Sequence, residues 1–147
     1  MKPDGRGLHV VEPYWSAMDA RPRIVVRRLA EADLPVAAGA YAFYRDGVRI
    51  YVGKAGSLRA RVWGNHCGRG VVLTGSALRR NVAEHLGIAS AADIKARRRI
   101  LTSEEAVRVR AWLDDCQLAW IITSSETAAL ELEVHLKREH RPPLTQR

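Results

Sequence analysis

The run YAFYRDGVRIYVG, residues 41–53, reads as one β-hairpin, because β-branched and aromatic residues flank Asp46-Gly47, a dipeptide suited to the left-handed backbone of tight turns. It commits the centre of the chain to antiparallel sheet and sets Tyr41 and Tyr51 on neighbouring strands. Register then decides what the two phenols can do together. A two-residue loop at Asp46-Gly47 pairs Ala42 with Tyr51 and sends the phenols to opposite faces. A three-residue loop with Gly47 left-handed pairs Tyr41 with Tyr51. We expect the second, with Ala40, Ala42, Val48, Ile50 and Val52 on one face and Tyr41, Phe43 and Tyr51 on the other.

Around the hairpin the signals are mostly helical. Ser57 is a candidate N-cap for LRARVWG, on which Leu58 and Val62 share a face. ALRRNVAEHLG and AADIKARRRIL lie between Gly- and Ser-rich breaks, and QLAWIIT, residues 117–123, reads as a buried third strand. Thr123 and Glu126 match a capping box opening a last helix that stops before Pro142-Pro143. Residues 23–34 fit either a short strand and turn or a helix, and the segment before them shows no period. The expected architecture is therefore α+β, a small three-stranded antiparallel sheet flanked by helices. An N-terminal arm occupies residues 1–33, and a domain over residues 34–147 carries a helical insertion at about 65–112.

The 147 residues hold 24 Lys and Arg against 16 Asp and Glu, a formal charge of +8, which favours a polyanionic partner. Between Arg59 and Arg110 stand eleven basic residues and only four acidic ones, Glu84, Asp93, Glu104 and Glu105. A solvated helical face is the plain explanation of such a cluster, and its position beside the hairpin favours a binding surface. Cys67 and Cys116 are too few and too far apart for a zinc site or a disulfide framework, so reduced thiols are expected. No apolar run approaches the ~20 residues of a membrane span, and MKPDGRGLHV lacks the apolar stretch of a signal peptide. A cytoplasmic protein without membrane contact is the expectation.

Two phenols beside a lysine and an arginine can orient water and stabilise anionic oxygens. In the last helix, Ala129, Leu132 and Leu136 form an apolar stripe and Glu133 falls on it, so its carboxylate must be paired, with Arg61 or Lys54, or must ligate a hard metal ion. Arg61 flanks the buried face of the preceding helix and can offer two parallel hydrogen bonds to a phosphate or to Glu133. His66 is a candidate proton relay or phosphate contact, although a lone His followed by Cys is more often structural.

Taken as a set, Gly39-Ala40-Tyr41, Tyr51-Val52-Gly53-Lys54-Ala55, SLRARV ending in Arg61 and AALELE ending in Glu133 resemble the GIY-YIG nuclease superfamily, over about residues 34–145. The resemblance implies a metal-dependent endonuclease acting on DNA, with Mg2+ or Mn2+ held by Glu133 and waters and no small-molecule cofactor. Tyr41 would orient or deprotonate the attacking water. Tyr51, Lys54 and Arg61 would position and neutralise the scissile phosphate, with His66 as a further catalytic candidate. Gly53 would admit the backbone closely. Beside the resemblance, the positive charge of the insertion is expected to grip the nucleic-acid backbone, with Arg59, Arg79 and Arg80 as binding residues. The chain departs from the family pattern after the arginine, where a His or Tyr is common four residues on. Here Asn65 holds that place and His66 follows it. The alternative function is a non-catalytic nucleic-acid-binding module built on a decayed nuclease site.

Overall fold

The structure, a computed structural model, describes residues 12–145; the beginning of the expected arm, residues 1–11, lies outside them. Among the described residues four antiparallel strands form one sheet in the order β1-β4-β2-β3. The strands are β1 (Ile24–Val25), β2 (Gly39–Arg45), β3 (Val48–Ala55) and β4 (Gln117–Ile122). Around them lie α1 (Tyr14–Asp19), α2 (Ala77–His85), α3 (Ala91–Lys95), α4 (Ser103–Asp114), α5 (Glu126–Glu139) and an eight-residue π-helix, Arg59–His66. The fold is α+β as expected, with one strand more than the expected three. That strand is β1, which pairs Ile24 with Leu118 and Val25 with Gln117. Two residues are too short to show an alternation in sequence. Among the described residues no helix is long and apolar enough to cross a membrane.

The hairpin corrects the expected loop. Arg45 pairs directly with Val48, and Asp46 and Gly47 both have left-handed φ, 51° and 77°, so the loop has two residues. On its own this would part the tyrosines. The register instead shifts between Phe43 and Tyr44: Tyr44 pairs with Arg49, Phe43 with Tyr51 and Tyr41 with Gly53. Ile50 is the extra residue of a β-bulge, and it returns Tyr51 to the face of Tyr41 and Phe43. The shared face of the tyrosines holds, while the expected direct pairing of Tyr41 with Tyr51 does not, and Ile50 packs in the core on the tyrosine side and not with Ala40, Ala42 and Val52.

Each face of the sheet has its own core. Tyr41, Phe43, Tyr51 and Leu118 pack with Leu58 just before the π-helix, Val62 within it, Leu78 and Val82 of α2, and Val109 and Leu113 of α4. On the other face Ala40, Ala42, Val52, Ala119 and Ile121 meet Trp15 and Met18 of α1 and Leu132 and Leu136 of α5. The segment expected as an arm is tied in here. Glu139 of α5 accepts hydrogen bonds from the backbone N–H groups of Tyr14 (2.6 Å) and Trp15 (2.9 Å), two donors that the first turn of α1 cannot satisfy itself. Trp15 Nε1 returns a bond to the Leu136 carbonyl at 2.8 Å. The N-cap of α5 is Ser125, which accepts from Ala128 N, and not Thr123 as the capping-box pattern implied; Thr123 donates to the Ser125 carbonyl. Along the outer side of β3, Leu144 N donates to the Ile50 carbonyl (2.8 Å) and Val52 N to Thr145 Oγ1 (3.2 Å).

Gly39, where β2 lies between β3 and β4, is required by close approach. A Cβ there would stand 2.4 Å from the Ile121 carbonyl oxygen and 2.9 Å from Leu58 Cδ1. The first obstacle is backbone inside a sheet and cannot swing away. Gly39→Ala is expected to cost about 1–3 kcal/mol, as overpacking does, read as a lower urea midpoint at unchanged slope.

Candidate active site

Tyr41 and Tyr51 stand side by side with ring centroids 6.3 Å apart and planes 25° from parallel. Both are buried, with 2% and 7% of their surface exposed. Gly53 lies opposite Tyr41 across the strand pair, and a Cβ on it would come within 2.4 Å of Tyr41 Oη. The hydroxyl thus occupies the space that any other residue at position 53 would fill.

The departure after the arginine acquires a structural reason here. Residues 59–66 form a π-helix, and its bonding shows in Cys67 N to the Val62 carbonyl at 2.8 Å. In a helix bonded from i to i+5, residues five apart stand one turn apart, as residues four apart nearly do in an α-helix. The change of pitch absorbs the extra residue between Arg61 and His66. His66 is buried, with Nε2 2.6 Å from Tyr41 Oη and Nδ1 2.6 Å from Ser76 Oγ.

Charges of both signs reach the phenols. Burial comes first in pushing Tyr41 well above the ordinary tyrosine range, with Tyr51 and Glu133 adding to it and Arg61 opposing. Tyr51 is pushed up to about 12, by burial first and then by Glu133, again against Arg61. Both are therefore protonated at neutral pH. Burial, followed by the charges of Arg61, Arg79 and Arg80, holds His66 down at about 3, so it is neutral.

Arg61 is exposed and makes no side-chain hydrogen bond or ion pair among the described residues. The Glu133 side chain is 14% exposed and faces Lys137 one turn on at 3.6 Å, so the pair considered with Arg61 or Lys54 is not formed. Lys54 instead bonds Glu126 at 3.0 Å. It is opposite Ala40 in the register, on the α5 side of the sheet, and so away from the face of the two tyrosines.

Residues 25–147 match the family model of the GIY-YIG catalytic domain. The chain belongs to the GIY-YIG family. No curated protein matches it.

Within this GIY-YIG domain the three arginines expected to grip nucleic acid are occupied otherwise. Arg59 Nε donates to the Leu34 carbonyl at 2.8 Å. Arg79 and Arg80 are buried, and they donate to the carbonyls of Gly70 (2.6 Å) and of Leu73 and Thr74 (3.2 and 2.5 Å). Helical pattern alone made them look like surface charge, whereas the loop before α2 folds its carbonyls over them. Arg98 with Asp93, Arg99 with Glu105 and Arg110 with Asp114 are paired in turn. The cations left exposed in the basic stretch with no ion pair among the described residues are Arg61, Arg69, Lys95, Arg97 and Arg108. Sequence reasoning missed Ser76. Its value as the N-cap of ALRRNVAEHLG was readable, but its reach to His66 was not.

The buried imidazole predicts an acid limb in stability. Between the ordinary histidine value of 6.5 and the folded value of about 3, the unfolded chain binds a proton at this residue and the folded chain does not. Stability should fall by about 1.4 kcal/mol per pH unit lost in that window and gain no further loss from this group below it. Urea midpoints at pH 7, 5.5 and 4.5 measure the slope, and His66→Gln should remove this contribution.

Proposed function

We propose that this GIY-YIG domain is a metal-dependent endonuclease that hydrolyses phosphodiester bonds in DNA. The observation that carries the reading is two buried phenols set side by side over a glycine, while Arg61, with no ion pair among the described residues, and Glu133 act on them with charges of opposite sign.

The residues fit a divalent cation held in the lean manner of Mg2+ or Mn2+. Among the described residues no three His, Cys, Asp or Glu side chains gather into a cage. Glu133 offers a hard carboxylate oxygen whose own cation stands beyond hydrogen-bonding distance, and Mg2+ ordinarily keeps several waters and takes one or two carboxylates. When bound, such an ion lowers the pKa of water and draws charge from a phosphoryl oxygen.

The other roles belong to the chain itself. Arg61, exposed and without an ion pair among the described residues, takes the phosphate through two parallel hydrogen bonds. Tyr41 and Tyr51 act as protonated phenols, by hydrogen bonding to water and to phosphate oxygens. Gly53 keeps the strand clear beneath Tyr41. Lys54 spends one of its three ammonium donors on Glu126 and can offer the others to a phosphate. The exposed cations of the insertion neutralise backbone phosphates without reading bases.

Purified protein mixed with supercoiled, linear, flapped and damaged DNA in Mg2+ or Mn2+ tests the reading, with EDTA as control. Metal-dependent cutting is expected. DNA binding that persists in EDTA, with no turnover on any substrate, would select the non-catalytic binding module instead.

A further inference from the structure

Ser76 opens α2 as its N-cap and is only 2% exposed. Its Oγ accepts a hydrogen bond from Arg79 N at 3.1 Å and lies 2.6 Å from His66 Nδ1, while His66 Nε2 lies 2.6 Å from Tyr41 Oη. Three side chains thus form a row from a helix cap to the phenol of the candidate site, and their protons can be arranged in two ways. In one, Nδ1–H donates to Ser76 and the Tyr41 hydroxyl donates to Nε2. In the other, the Ser76 hydroxyl donates to Nδ1 and Nε2–H donates to Tyr41.

A serine hydroxyl has one proton and two lone pairs. The Arg79 amide takes one lone pair. If His66 also donates to Ser76, the serine proton is left buried with no acceptor among the described residues, which is a costly arrangement. If Ser76 donates instead, every polar group in the row is used, and donors aligned in one direction strengthen one another.

We propose that Ser76 is a positioning residue: it holds His66 as the Nε2–H tautomer, so that the Tyr41 hydroxyl proton is turned away from His66, to the side where Tyr51 stands, and is available there to an anionic oxygen of the scissile phosphate. The identity of that acceptor rests on the nuclease reading, whereas the tautomer does not. Tyr41 in this arrangement is a donor and not the base that takes a proton from water.

Nitrogen-15 NMR of histidine side chains in the metal-free protein at pH 7 reads the tautomer directly. Nε2–H is expected for His66, and Nδ1–H overturns the proposal without any variant. Ser76→Asp keeps a helix cap but can only accept, so it should invert the row to Nδ1–H and turn the Tyr41 proton toward His66, lowering kcat at least tenfold with KM within twofold. Ser76→Thr keeps the donor and should retain the wild-type tautomer and turnover. A Ser76→Asp protein whose His66 is neutral and still carries its proton on Nε2, with Nδ1 unprotonated, overturns the role given to Ser76. An inverted tautomer with wild-type kcat overturns the donation from Tyr41. A wild-type Nε2–H tautomer in a protein that cleaves no DNA would uphold the positioning of Tyr41 and overturn phosphate as its acceptor.

Discussion

Glu133→Ala is expected to reduce DNA cleavage by roughly 10³-fold or more, the scale on which removal of a charge-stabilising group acts, while leaving the fold intact. The two halves of this expectation come from the same helix. Leu132 and Leu136 supply the packing of that stretch of α5 against the sheet. The Glu133 side chain contributes only a long i,i+4 pair with Lys137, worth a few tenths of a kcal/mol in a helix. Thermal melts should therefore almost coincide, and single-turnover cutting of supercoiled plasmid at saturating Mg2+ should collapse. A Glu133→Ala protein that cuts at the wild-type rate would remove Glu133 as the metal ligand.

Gly53→Ala should lower kcat by about 100-fold, the order of loss that follows an ångström of misplacement at a reacting group. The added Cβ would lie 2.4 Å from Tyr41 Oη, 2.6 Å from Cζ and 3.0 Å from Cε2. Tyr41 has no room to give. Phe43 stands edge-on to it at 6.0 Å and His66 lies 5.4 Å away, so relief requires the hydroxyl to leave its 2.6 Å contact with His66. Tyr41→Phe removes the same hydroxyl by deletion. The two variants should lose similar amounts of kcat, and the double variant should be no worse than either, since both act through one group. Additive losses in the double variant would show that Gly53 works by some other route.

The hairpin was legible because a turn dipeptide and aromatic strands are local signals, and they marked the tyrosine face correctly. The route to that face was not legible. Among residues Val48 to Val52, four of them β-branched or aromatic, nothing marks Ile50 as the bulged one, and the bulge is what lets a two-residue loop keep both phenols together. Glu133 could be singled out because a carboxylate on an apolar stripe is an anomaly in any helix. Its actual neighbour, Lys137, follows from helix spacing, yet distant cations seemed the better partners. Arg79 and Arg80 misled because burial is decided by what packs over a helix, and the covering loop has no pattern of its own. The π-helix was readable as helix from SLRARVWG, while its pitch was readable only from the bonds it makes.

The bonds that residues 144 and 145 make to the outer side of β3 bear on how this molecule behaves in company. A sheet with an unguarded margin invites another chain to add itself as a further strand, the first step toward domain exchange or fibril growth. Here residues 144 and 145 bond one margin at Ile50 and Val52, and the other margin, among the described residues, ends in a strand of only two residues. Strand addition is thereby discouraged at Ile50 and Val52, where the bonding groups of β3 are already taken.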